Sequence, residues 1–146
     1  MAQTYIGSTL RTGSDTLTDT VDGGYVVVSQ TGTVTTVAAG TATSVSFTLP
    51  AYSQIINFFV DMLTVPSFGT ATTVPVTIGT VASGTQYLSA TDASLVGRTS
   101  LTFTSAQLTS MSDIGATQTV VFTADPNGTL SSQGVFRLTI TYAQKV

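Results

Sequence analysis

Apolar and polar residues alternate at every second position through most of this chain. Thr43 to Leu49 sets Val45, Phe47 and Leu49 against Ser44, Ser46 and Thr48, the pattern of a strand with one buried face and one wet face. Near the end, Phe136, Leu138, Ile140 and Tyr142 alternate in the same way with Val135, Arg137, Thr139 and Thr141. The densest apolar segment runs from Ile55 to Leu63. At a two-residue period Ile56, Phe58, Val60 and Met62 share one face, and Ile55, Asn57, Phe59, Asp61 and Leu63 share the other. Both faces therefore carry large apolar groups. A sandwich core accounts for the first, and Ile55, Phe59 and Leu63 on the second require cover from outside the sheet.

Strands are also expected at Tyr25 to Gln30, at Thr33 to Ala38 after a Thr31-Gly32 turn, at Val74 to Gly79, and briefly at Gln86 to Leu88. Pro75 suits an edge or a strand start. Gln118 to Ala124 and Gly134 to Tyr142 flank Asp125-Pro126-Asn127-Gly128 and read as a long hairpin. Ser105 to Met111, with Ser105 as a cap, is the single helical turn the pattern admits. Eight to ten short strands at this spacing predict an all-β chain: a jelly-roll-like antiparallel β-sandwich. Residues 1 to 22 hold little apolar material beyond Tyr5, Ile6, Leu10, Leu17 and Val21 and read as an extended N-terminal arm, leaving 23–146 as a single sandwich domain. Tyr5, Ile6 and Leu10 in the arm, with Ile55, Phe59 and Leu63 in the central strand, form the expected interface set.

Composition narrows the function classes. Hydrophobic residues make up 42% and charged residues 8%, against roughly 25% charged in an average domain. Thr (31) and Ser (16) replace the missing charge. Thr is β-branched, so a Thr-rich face solvates a sheet without ions, and such surfaces repel one another weakly enough to pack densely. Seven Asp against three Arg and one Lys give a net charge of −3, with no footprint for the phosphate backbone, so nucleic acid is not an expected partner. No apolar run approaches the ~18 residues of a membrane span, and MAQTYIGSTLRTG lacks the basic and apolar regions of a secretory leader. A membrane is not an expected partner either.

Acid–base chemistry has few candidates. His, Cys and Glu are absent, so a Ser or Thr nucleophile could draw only on Asp as its base. Most Asp lie in turn-like contexts, where short carboxylates bind local backbone NH groups. Asp61 stands apart inside the central strand. It is either a buried catalytic carboxylate or an ion-pair partner of Arg98, of Arg137 or of an Arg across a subunit contact, and the ion pair is the favoured reading. Asp125-Pro126-Asn127-Gly128 resembles the front of a calcium loop without the distal acidic ligand, and Asp15, Asp19 and Asp22 offer too few oxygens on their own. No metal, no cofactor and no enzymatic activity are expected.

GGYVVVSQTGTV, SFTLPAYSQIINFFVDM, VPVTIGT followed by GTQYLSATD, and TVVFTADPNGTLSSQGVFRLTITY, which together span most of Gly23 to Tyr142, are similar to small virion proteins of tailed bacteriophages. In particular they resemble β-sandwich head decoration, or cement, proteins. The resemblance implies a non-enzymatic protein on the capsid exterior, assembled in the host cytoplasm. Such a protein binds between subunits of the major capsid protein, often as a homotrimer, and stiffens the shell. The alternative is a fibre or tail-tip module that recognises a host glycan, which requires exposed aromatic rings for stacking. Tyr5, Tyr52, Tyr87 and Tyr142 are its candidates, although three of them lie in or beside apolar runs.

Overall fold

A computed structural model describes residues 25–112 and 114–145. The alternating runs form eight strands: β1 (Tyr25–Thr35), β2 (Thr43–Leu49), β3 (Ser53–Thr64), β4 (Pro75–Gly79), β5 (Leu88–Asp92), β6 (Gly97–Arg98), β7 (Gln118–Ala124) and β8 (Val135–Lys145). One helix, α1 (Ser105–Ser112), lies between β6 and β7. The strands make two four-stranded antiparallel sheets, ordered β1-β8-β3-β6 and β2-β7-β4-β5. The chain changes sheet at every connection except β4 to β5, which places sequence-distant strands side by side in an antiparallel β-sandwich, as expected. The expected arm, with Tyr5, Ile6 and Leu10, lies outside the described residues.

The core fills the space between the sheets. Val60, Leu138, Ile140 and Phe136 from one sheet meet Val76, Ile78, Leu88, Val120 and Phe122 from the other, all at 0–1% exposure. Phe122 and Phe136 pack across the interface with ring centroids 6.2 Å apart. The outer faces are hydroxyl-rich: Ser29 bonds Thr141 at 2.9 Å and Thr31 bonds Thr139 at 3.0 Å across β1 and β8, while Ser44 bonds Thr123 at 2.9 Å across β2 and β7. Thr side chains here bond to one another in cross-strand rows, so the face stays ordered without charge.

Four sequence readings are corrected. Thr31-Gly32 is no turn, because β1 runs unbroken and pairs with β8 along its whole length. Gly32 faces inward, and a Cβ there would meet the Phe47 ring and a Val45 methyl at 3.0 Å. Packing room, not a bend, demands the glycine. β7 and β8 are not a hairpin either: they belong to opposite sheets, and residues 125–134 cross between them. Asn127 Oδ1 anchors that crossover by accepting from the NH groups of Thr72 and Thr73, both at 3.0 Å. Gly128, at φ 143°, lies where a Cβ would approach the Ala71 nitrogen to 2.8 Å. The helix cap is Thr104 rather than Ser105: Gln107 N donates to Thr104 Oγ1 at 3.3 Å while Thr104 N donates to Gln107 Oε1 at 2.8 Å, a reciprocal capping box.

The fourth correction bears on the interface set. β3 is not a single two-residue alternation. Ile55 opposes Tyr142 and Asn57 opposes Thr141, so Ile56 is an extra residue in a β-bulge, and Leu63 falls in a second irregularity between Met62 and Thr64. The bulge shifts the phase by one. Ile55 joins Phe58, Val60 and Met62 in the core at 4% exposure, and Ile56 turns outward at 49%.

Candidate interaction surface

The outer face of the β1-β8-β3-β6 sheet carries a cluster of three charged side chains, Asp61, Arg98 and Arg137. Asp61 on β3 lies opposite Arg137 on β8 and Arg98 on β6, so one row of the sheet reads Arg-Asp-Arg. Arg98 Nε donates to Asp61 Oδ1 at 2.9 Å and Arg98 Nη2 to Oδ2 at 3.3 Å, while Arg137 Nη2 donates to Oδ2 at 3.1 Å. The carboxylate is 9% exposed at its side chain, whereas Arg98 and Arg137 remain 58% and 45% exposed. The Arg98 hydrogen bonds hold the Asp61 carboxyl below its ordinary value, and Arg137 adds to this against an opposing desolvation. Asp61 therefore resolves as the ion-pair reading. Both its oxygens are engaged and it is further ionised, not poised for proton transfer near neutrality.

Phe59 sits one row away, half-buried, with the Arg98 guanidinium carbon 4.4 Å from its ring centroid. That cation–π contact and the salt bridge together fix Arg98 over the sheet. Beside Phe59 the sheet opens. β6 pairs only with Asp61 and Met62, and Thr99 N donates to Val60 O at 2.9 Å, after which residues 99–103 diverge from β3. The resulting groove has a volume of about 360 Å³ and runs along Asn57, Phe58 and Phe59, with Arg98 at its rim and Leu101 and Phe103 on the far wall. Phe103 packs on Phe58 at 6.4 Å between centroids, so the groove is lined in part by aromatic rings.

Two exposed apolar patches flank this face. Met62 pairs with Gly97, so the next positions outward bring Leu63 (46% exposed) toward Val96 (71%), with Val65 (41%) and Leu95 (83%) nearby in sequence. At the other end of the sheet, Tyr25, Val26 and Val27 at the start of β1 are 61%, 50% and 62% exposed, and Tyr52, just before β3, is 69% exposed. Tyr87 and Tyr142 are core residues at 1% and 3%. Of the expected interface residues the structure thus places Phe59 and Leu63 on the accessible side of β3 and removes Ile55. Ile56, Leu95 and Val96 are also exposed and lie outside the expected set. A lone Leu-Val pair between Ser94 and Gly97 carries no periodicity, and only a bulge assignment would have turned Ile56 outward.

Among the described residues no cluster of three or more His, Cys, Asp or Glu could hold a metal. Asp92 is committed locally, accepting from the Val74 and Ser94 NH groups at 3.1 and 3.2 Å and from the Ser94 hydroxyl. Asp15, Asp19 and Asp22 lie outside the described residues. No helix in the described residues is long and apolar enough to cross a membrane.

What the fold and this surface define is a β-sandwich with a charge-anchored, partly apolar outer face. No family model matches the chain, and no curated protein matches it. Among solved structures, one chain of "Cyanophage Pam1 capsid asymmetric unit" is similar over 98% of this chain and 95% of its own, with a TM-score of 0.55 and 18% identity. At that identity the likeness is one of fold.

Proposed function

We propose that this chain is a structural virion protein that decorates a bacteriophage capsid from outside, binding between major coat subunits and stiffening the shell, and that it does so as a homotrimer. The observation that carries the reading is the end-to-end match to a chain of a phage capsid asymmetric unit, in which each partner covers nearly all of the other. The surface is consistent with that role. A sandwich whose core cluster lies at 0–7% exposure still leaves Leu95, Val96, Leu63 and Val65 in the open, more apolar contact area than scattered single residues require. Hydroxyl-rich outer faces permit close packing of many copies with little charge repulsion. The test is reconstitution: purified chain is added to shells of the cognate coat protein, and bound copies and shell rupture temperature are measured. Saturable binding in multiples of three with a raised rupture temperature is expected. Monomers at assembly concentrations with no retention on shells overturn it.

Tyr25 and Tyr52, both exposed near the same end of one sheet, keep the glycan-binding alternative testable. A glycan array on which Tyr52→Ala abolishes a signal would favour it over the shell reading.

A further inference from the structure

We infer that a pocket on the outer face of the β2-β7-β4-β5 sheet is a binding site for a lysine side chain, and that a coat subunit supplies the lysine. The source of the lysine rests on the shell reading above; the pocket itself does not.

The backbone builds the pocket where β4, β5 and the start of the 125–134 crossover meet. Val76 and Ile78 of β4 point into the core at 0% exposure, so Thr77 between them faces outward. It opposes Thr123 on β7. After Gly79 the chain folds back over this face: Gly84 N donates to Val81 O at 3.0 Å, and Ser83 N donates to Thr123 Oγ1 at 2.9 Å. Glycine is required for that close approach, since a Cβ on Gly79 would lie 2.5 Å from the Gly84 carbonyl carbon. Ser83 is held at φ 57°, a left-handed conformation that strains a non-glycine residue and tends to occur at functional sites. Across from this loop Asp125 N donates to Pro75 O at 2.9 Å, which fixes the first residue of the crossover beside β4. The cavity left between them has a volume of about 360 Å³.

Its lining is of two kinds. Pro75, Ala90 and Pro126 supply hydrocarbon, Thr77, Ser83 and Thr85 supply hydroxyls, and Asp125 is the one charged group. Among the described residues nothing pairs with the Asp125 carboxylate, because Arg98 and Arg137 are committed to Asp61 on the other sheet. Thr77 Oγ1 is shielded from solvent and has no hydrogen-bond partner, a state that buried hydroxyls rarely keep.

This combination selects the ligand. The unpaired carboxylate calls for a cation, and the hydrocarbon walls call for a stem that carries it. A lysine side chain has both: an apolar four-carbon stem, and an ammonium with three donors and no acceptor, to be met by one carboxylate and the neighbouring hydroxyls. A bare calcium ion fits less well, because it takes six or more oxygens and prefers several carboxylates. Charge points to a different protein as the donor. The sequence holds one lysine, Lys145, and a net charge of −3, so copies of this chain have little to offer one another's pocket.

The probe is Nα-acetyl-lysine N-methylamide, titrated into the full-length chain and followed by amide NMR shifts, with the norleucine analogue as the uncharged control. Saturable shifts at Thr77, Ser83, Thr85 and Asn127 are expected with the lysine probe and not with the control. Affinity should fall about fivefold in Asp125→Asn and be lost in Ala90→Leu, which fills the pocket from an exposed position and keeps the charge. Absence of saturable shifts at these amides overturns the site, as does unchanged affinity in Ala90→Leu, which would mean attraction to surface charge alone. Retention on shells of the cognate coat protein is measured separately. Asp125→Asn should weaken it about fivefold, and Lys145→Met should leave it unchanged. Equal retention of Asp125→Asn and the unmodified chain, or loss with Lys145→Met, refutes the coat subunit as donor. Saturable shifts without any shell retention refute the shell reading and leave the pocket standing.

Discussion

Asp61→Asn is the substitution whose consequence the structure fixes most tightly. It removes the carboxylate from the Arg-Asp-Arg row and keeps its shape. The amide Oδ1 can still accept from Arg98 Nε, at 2.9 Å in the native pair, whereas the two bonds to Oδ2, from Arg98 Nη2 at 3.3 Å and Arg137 Nη2 at 3.1 Å, lose their acceptor to an NH2 group. Hydrogen bonds to charged groups contribute roughly 1.5–3 kcal/mol each when desolvated, but both donors here are about half exposed, and exposed ion pairs typically contribute roughly 0.2–1 kcal/mol. The variant leaves no buried charge behind, since the orphaned groups are the two accessible arginines. A loss of about 1–2 kcal/mol follows, or about 2–8 °C in Tm for a chain of this size. Removing both donors together reverses the geometry. In Arg98→Met/Arg137→Met the carboxylate, 9% exposed, is left uncompensated, at a cost nearer 3–5 kcal/mol. The folded carboxyl titrates below its ordinary value, so its contribution is present above the unfolded carboxyl pKa and is lost as pH falls through the lower, folded one. Thermal and urea unfolding at about pH 7 and again at about pH 2 should show the Asp61→Asn deficit at the first and little of it at the second. A deficit of equal size at both would mean that shape, not charge, is what Asp61 contributes, and would refute the reasoning.

Other substitutions test the fold and the surface separately. Ile55→Ser should cost several kcal/mol while Ile56→Ser stays within about 0.5 kcal/mol, because the bulge buries the first at 4% and exposes the second at 49%; equal urea midpoints would reject the bulge. Gly32→Ala forces a methyl to within 3.0 Å of Phe47 and Val45 and should lower stability by about 1–3 kcal/mol, read as a Tm shift. Tyr52→Gly should raise stability by up to about 1 kcal/mol in the same assay, since Tyr52 sits at φ 60° with its ring largely in solvent. Leu95→Ser/Val96→Ser should leave Tm within about 1 °C and weaken retention on shells, measured by co-sedimentation.

The architecture was legible because it depends on averages. Alternation in 43–49 and 135–142 and the preference of Thr for strands point to a sandwich however the strands are ordered. Pairing was less so. Asp125-Pro126-Asn127-Gly128 has the chemistry of a hairpin turn, and nothing local says that its flanking strands join opposite sheets. Gly32 looks like a bend until Phe47, distant in sequence, is placed beneath it. The surface was half legible. Phe59, Leu63 and the Asp61 pairing with Arg98 and Arg137 followed from the strand pattern, but the bulge at Ile56 changed the phase of that pattern for Ile55. Leu95 and Val96 lie in a loop where periodicity carries no information. The Arg98 contact to Phe59 is a cross-strand event that only the β3–β6 register reveals.

The most direct measurement is a cryo-EM reconstruction of the intact particle that carries this chain. The account predicts the sandwich on the outer surface, with three copies around each local threefold position between coat subunits. Finding the chain only at a tail tip or fibre, or missing from the shell altogether, would contradict it.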